Sequence, residues 1–317
     1  MSVETQTTAN PNPFASRNPA LDRRRKLADK SSVVLVVLAF AFAIIPLVSL
    51  LWIVVENGWG RLSPYFLTVS MNGVYGGMDA GGIYHAIIGT LLVTGWATLI
   101  SVPIGLATAI YLVEYAGNSK LARATTFFVD VMTGIPSIVA GLFAAALFGL
   151  LVSPAYRAGI MGAVALSVLM IPTVVRSSEE MLRLVPNELR EASYALGVPK
   201  WLTIVKVVLR TSAAGLTTAV MLAIARVVGE TAPLLMTVGV IDSINYNVFE
   251  GRLMTLPVYV YRQYSQGLAP CGALENCVET INYDRAWAAA LVLILLVMLF
   301  NLIARIVAYC FAPKGRS

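Results

Sequence analysis

The chain has 317 residues, 58% of them hydrophobic and only 13% charged, about half the charged share of ~25% usual in a soluble domain. That deficit excludes an ordinary water-soluble fold and points to lipid as the solvent. The net charge of +6 sits in short segments between apolar runs, with no aromatic interleaving and no basic face, so it speaks for membrane orientation and against nucleic-acid binding. One histidine, His85, and three cysteines are too few to converge readily on a zinc ion.

Residues 1–32 are polar, with Pro11, Pro13, Pro19 and the basic cluster Arg23 to Lys26; they read as a disordered cytoplasmic tail. The apolar run 33–55 is too long for a signal-peptide core and has no A-x-A site after it, so it is expected to be the first transmembrane helix. Five more runs approach the ~20 residues needed to cross the hydrocarbon: 86–113, 131–152, 158–175, 211–241 and 286–304. The fourth is short, and the fifth is long and carries Arg226 and Glu230. Their internal prolines (Pro46, Pro103, Pro136, Pro172, Pro233) read as tolerated kinks. No internal repeat and no broken midplane helix stands out. Trp52, Trp59 and Trp287 lie near span ends as interface anchors.

Lys and Arg set the orientation. They concentrate in 1–32, 114–130, 176–210 and from Arg305 onward, and leave Arg61, Arg157, Arg252, Arg262 and Arg285 for the other side. Both termini are then expected to be cytoplasmic in a multi-pass membrane protein. A core at 85–305 would carry a cytoplasmic loop, 176–210, and an external loop, 242–285, with 306–317 as a cytoplasmic tail. Cys271 and Cys277 lie in the external loop, where a disulfide is permitted; with five residues between them the ring would be small, and the bond stays open. Cys310 reads as a plain apolar residue, His85 as an interfacial polar residue opening the second span, and Asp130 as a helix N-terminal charge.

Two patterns carry chemistry. In the cytoplasmic loop Glu191-Ala192-Ser193 is followed by Gly197 and then by Val207-Val208-Leu209. Small residues at 192, 193 and 195 let a partner approach closely, and Gly197 suits a turn with φ > 0. Glu188 and Glu191 share a face, while Arg190 and Lys200 flank the turn. The spacing resembles the EAA signature of ABC importer permeases, E-A-A, then G, then I-x-L-P, with Ser193 for the second alanine and Arg210 for the proline. In the fifth span Arg226 has only uncharged residues for fifteen positions before it, which places it near mid-span. A midplane arginine costs about 2.5–3.5 kcal/mol on the insertion scale, so it should face a path or a partner charge. Glu230 follows four positions on, expected on the same helical face. The pair either hides two charges from lipid or presents a planar guanidinium fork to an oxyanion.

The run R-x-x-G-E-T-A-P-L-L from Arg226 to Leu235 resembles the fifth-helix signature of PstA-type permeases of the phosphate-specific ABC importer. The segment Met254-Thr255-Leu256-Pro257-Val258-Tyr259-Val260-Tyr261 is similar to that family's external-loop segment. Gly134-Ile135-Pro136-Ser137-Ile138-Val139-Ala140-Gly141 is similar to its third-helix pattern. The resemblance implies an all-α membrane protein with a five-helix permease core and one added helix. It implies Arg226, Glu230 and Thr231 on the path of inorganic phosphate, and Glu188, Glu191, Ala192, Ser193, Gly197 and Leu209 at the ATPase contact. It further implies a homologous PstC-type permease, two copies of an ATPase subunit and an external phosphate-binding protein as partners, besides membrane lipid. The chain has no G-x-x-x-x-G-K-[ST], so ATP and Mg are expected on the partner ATPase, and no cofactor on this chain, which is not itself an enzyme. Sulfate or molybdate permeases, a stand-alone secondary transporter and a non-transporting scaffold are the rival readings.

Overall fold

The computed structural model describes residues 19–117, 119–271 and 277–311. Among them there is no strand, only an isolated bridge between Met78 and Cys277. The first compact unit, up to Ile53, is the leading part of α1 (Pro19–Trp59). Its apolar side chains from Val33 onward are almost all exposed, as expected of a helix solvated by lipid. The expected tail is therefore helical from Pro19; the rest of it, 1–18, lies outside the described residues.

The second unit begins at Val54. It contains α2 (Pro64–Thr68) and α3 (Tyr84–Ile110), the latter prolonged by a π-helical turn (Tyr111–Tyr115). Next come α4 (Lys120–Thr133), α5 (Ser137–Leu151), α6 (Gly159–Arg183) and α7 (Asn187–Ala195). Then α8 (Lys200–Thr203) passes through a second π-helical turn (Ile204–Val208) into α9 (Leu209–Val228), followed by α10 (Ala232–Thr237), α11 (Leu256–Gln266) and α12 (Ile281–Phe311). Among the described residues five helices are long and apolar enough to span a membrane, or six if the bent pair α4–α5 counts as one span.

Helices α3 and α6 form the centre. Small residues let them close up: Gly105 of α3 leaves no room for a Cβ beside Val174 of α6, and the Ser167 hydroxyl donates to Ala163 O at 2.7 Å and also reaches Ala97 O of α3. Lipid removes the hydrophobic drive between helices, so close packing of this kind and interhelical hydrogen bonds hold the bundle. Around α3 and α6 the core gathers Ala223 and Val227 of α9, Leu234 of α10, Tyr259 of α11, and Ala288 and Ala289 of α12.

Several expectations are corrected. The third span, 131–152, is two helices bent by 107°, because Gly134 caps α4 and Pro136, without an N–H, opens α5. The fourth is not short. Helix α6 runs on to Arg183 because its charged last turns pair internally, Arg176 with Glu179 at 2.9 Å and Arg183 with Glu179 at 2.7 Å. Asp130 lies in the last turn of α4, not at a helix start, and pairs with Arg176. The last helix extends past 304 to Phe311, while 312–317 and the side chain of Cys310 lie outside the described residues.

The loop 242–285 is not a plain external loop. Leu253, Met254, Leu256 and Tyr259 are fully buried, and Leu256 N–H donates to Thr90 Oγ1 of α3 at 2.8 Å. Cys271 and Cys277 are disulfide-bonded, which closes the question left open by their spacing. His85 is also corrected: it is 2% exposed, edge-on to Tyr259 at 5.7 Å, rather than interfacial.

Candidate transport path and coupling loop

The coupling loop is built at the C-terminal end of α6, far from the 242–254 loop that meets the other end of α6 through Ile160 N–H to Val248 O. Pro186 and Pro199 stand just before α7 and α8, where the missing N–H costs nothing. Between these helices Gly197 takes φ +76°. Its N–H donates to Tyr194 O at 2.9 Å and Val198 N–H to Ser193 O at 3.2 Å, the paired bonds of a Schellman cap. Glu188, Glu191, Ala192 and Gly197 are all exposed, and beside them Leu189, Tyr194, Leu196 and Trp201 expose large apolar surface.

Ser193 and Leu209 turn inward instead. The Ser193 and Thr203 hydroxyls share a hydrogen bond at 2.9 Å in a buried position, which ties α7 to α8; Leu209 packs on the core around Ala109 and Leu182. They shape the loop and do not belong to its free face. Arg210 is exposed on the first turn of α9.

The main strut of this loop had no signal in the sequence. Arg190 of α7 donates to Glu114 at 2.8 Å, with the two side chains 12% and 4% exposed, and also to Val185 O and Leu182 O. The partners are 76 residues apart. Breaking a buried pair by removing one partner costs about 3–5 kcal/mol. Arg190→Met is accordingly expected to release α7, seen as tryptic cleavage at Lys200 at least tenfold faster than in the parent chain; an unchanged cleavage rate would count against the strut.

The second site is a break. The helix that begins at Lys200 is continuous only to Val228, so Arg226 lies in its last turn. There a cation complements the partial negative charge of the helix end. Gly229 caps α9 and Glu230 N–H still reaches Val227 O at 3.2 Å. Glu230 therefore falls in the gap, and the two charges do not share a helical face. The chain restarts at Thr231, whose carbonyl accepts from Leu234 and Leu235, with the buried Pro233 in the first turn of α10. Helix α5 pins this second piece: a Cβ on Gly141 would lie 2.6 Å from Pro233 Cα.

Arg226 is exposed, Glu230 and Thr231 half-buried. Among the described residues neither Arg226 nor Glu230 makes an ion pair, whereas Arg61, Arg176, Arg183, Arg190 and Arg262 all do. Mutual concealment of the two charges is thus not what the fold does with them. Among the described residues the Arg226 guanidinium has no ion-pair partner, and such a planar fork is chemically suited to a carboxylate or an oxyanion.

Five or six spanning helices with an exposed α7 make this a polytopic helical membrane protein. A family model described as "Binding-protein-dependent transport system inner membrane component" matches residues 101–317. The phosphate transport system permease protein PstA 1 of Mycobacterium tuberculosis is 44% identical over 299 residues, covering 93% of this chain and 92% of that protein. PstA of Pasteurella multocida is 37% identical over 282 residues, 89% of this chain and 95% of that one. Among solved structures, a bacterial alginate ABC transporter in complex with an alginate pentasaccharide-bound periplasmic protein superposes with a TM-score of 0.57 at 12% identity, over 89% of this chain and 94% of that one. The inward-facing MetNI methionine ABC transporter gives 0.55 at 19% identity, over 80% and 100%; these two likenesses concern the fold alone. This multi-pass chain belongs to the PstA permeases of the binding-protein-dependent transport family. The helix breaks, which the sequence did not lead one to expect, are therefore compatible with a permease of this family.

Proposed function

We propose that the chain is the permease subunit through which an ATP-driven importer passes inorganic phosphate, with Arg226 on the path and α7 receiving the ATPase. The observation that carries the reading is Arg226, exposed and without an ion pair among the described residues, within a chain 44% identical to a phosphate transport permease over nearly its whole length. The exposed mixture of small, acidic and apolar residues on α7 supports an ATPase docking there. A homologous permease would complete the path from the other side, and two ATPase copies and an external phosphate-binding protein would complete the machine. The positive-inside distribution of Lys and Arg supports cytoplasmic termini and a cytoplasmic α7.

The test is reconstitution. The tagged chain should copurify with an ATPase and a second permease, and vesicles containing them should accumulate phosphate, and not sulfate, when ATP is supplied. In the same preparation, with Cys310 replaced by serine, a thiol reagent should label Glu250→Cys from the external side and Glu188→Cys only after permeabilisation. Purification as a lone homodimer, or sulfate carried as well as phosphate, would overturn the proposal, and the opposite labelling pattern would overturn its orientation.

A further inference from the structure

Helix α1 does not begin where its apolar run does. It starts at Pro19, well before that run opens at Val33, and the stretch between is strongly cationic. Arg23, Arg24, Arg25, Lys26 and Lys30 are all exposed. Among the described residues none of them makes an ion pair. Two carboxylates, Asp22 and Asp29, accompany these five cations. Both stand at the i,i+3 and i,i+4 helical spacings from Arg25 and Lys26, and at neither spacing from Arg23, Arg24 or Lys30. Three cations therefore have no carboxylate of their own helix beside them.

Their placement is ordered as well as unbalanced. Arg23, Lys26 and Lys30 follow one another at i, i+3 and i+7 within α1 and so share one helical face. Lys26 and Lys30 are four positions apart, a like-charge spacing that weakens a bare helix and is relieved by an anion brought to the stripe. Along the same face the cations give way to the exposed Val34 and Val37, the order in which a phospholipid presents headgroup and acyl chain. At 1.5 Å per residue Lys30 stands about 5 Å before Val33, Lys26 about 10 Å and Arg23 about 15 Å. The headgroup layer is about 5–8 Å deep, and long basic side chains reach back toward it. A topology signal needs only the number of cations beside a span; it does not require a helical stripe that runs into the apolar face.

We infer that this stripe binds the phosphate headgroups of anionic phospholipids in the leaflet bordering the start of α1, with Arg23 and Lys30 as its principal cations. That this leaflet is the cytoplasmic one rests on the orientation proposed above; the binding itself does not.

The test uses the purified full-length chain, with Cys310→Ser, in vesicles of phosphatidylcholine with a minor share of phosphatidylglycerol. A donor dye is placed on Ala28→Cys, an exposed position off the stripe, and energy transfer is read to a trace of either lipid labelled on its acyl chain. The acceptor is present in both leaflets, so a wrong orientation leaves the result unchanged. A cation close to an anionic surface is worth roughly fivefold in affinity, so labelled phosphatidylglycerol should surround the dye at about three times the density of labelled phosphatidylcholine or more. Salt at ~0.5 M should erase the difference. Arg23→Gln with Lys30→Gln should abolish the enrichment, whereas Arg24→Gln with Arg25→Gln, which removes the same charge at positions equally exposed, should keep most of it. Equal transfer to the two lipids in the parent chain, or equal loss in the two double variants, overturns the site. Displacement of the labelled lipid by inorganic phosphate at constant ionic strength overturns the headgroup assignment.

Discussion

Replacing Arg226 by glutamine is expected to lower ATP-driven phosphate uptake roughly 10- to 100-fold, matching the ~1.5–3 kcal/mol of a hydrogen bond to a charged group. The side chain is exposed and makes no ion pair among the described residues, so little fold stability rides on it, and the loss should appear in transport with normal insertion. Arg226→Lys keeps the charge but loses the planar fork that accepts two oxygens at once, and should fall between the two. On the proposed path, Glu230 is the residue expected to set selectivity. Phosphate keeps a proton at neutral pH and can donate to a carboxylate, whereas sulfate keeps none and meets only repulsion. Because the helix breaks between Arg226 and Glu230, neither charge is consumed by the other and both remain available to the anion. Glu230→Gln is therefore expected to admit sulfate while phosphate still passes. Uptake should be measured in vesicles with each anion supplied separately and the binding protein bypassed. Undiminished phosphate transport by Arg226→Gln would remove the path assignment, and sulfate still excluded by an active Glu230→Gln would remove the screening role.

Gly197→Glu is expected to abolish uptake while the chain still inserts. Two effects combine. At φ +76° any Cβ strains the backbone by about 1–2 kcal/mol, and the glutamate side chain then projects from the exposed turn that follows α7. A Cβ alone meets nothing within 4 Å, so Gly197→Ala carries the strain without the obstruction and separates the two. The alanine variant should keep the ATPase bound and retain measurable transport. The glutamate variant should lose the ATPase on copurification by roughly tenfold or more, which is about 1.4 kcal/mol of binding. Equal retention of the ATPase by both variants, with transport intact, would show that nothing docks on this face.

What could be read from the residues was local or compositional. The membrane class followed from how little charge the chain carries, and the coupling turn from a glycine set after a short helix of small residues. The helix ends were misjudged where charges continue a helix. Residues after 175 looked like loop because they are charged, although Arg176, Glu179 and Arg183 stand at the i,i+3 and i,i+4 spacings that hold a helix together. The breaks were missed for the opposite reason: apolar runs hide them. Gly134 with Pro136 opens an apolar run, and Gly229 with Pro233 sits in a run that is apolar apart from Arg226 and Glu230; glycine or proline is tolerated in membrane helices wherever neighbours satisfy the backbone.

By itself, then, the sequence determined that this is a polytopic helical protein and where the glycine turn after α7 falls, because each of these depends on composition or on neighbours a few positions apart. Tertiary structure alone decided the rest. It placed Arg226 at a helix end and Glu230 in the gap, since that break is held by α5 packing Gly141 against Pro233. It joined Arg190 to Glu114 across 76 residues, and it enclosed Arg285 among the carbonyls of Met78 and Ala80, more than 200 positions away. Contacts at such separations leave no periodicity in the chain, because they are selected by how whole helices pack and not by the residues between them.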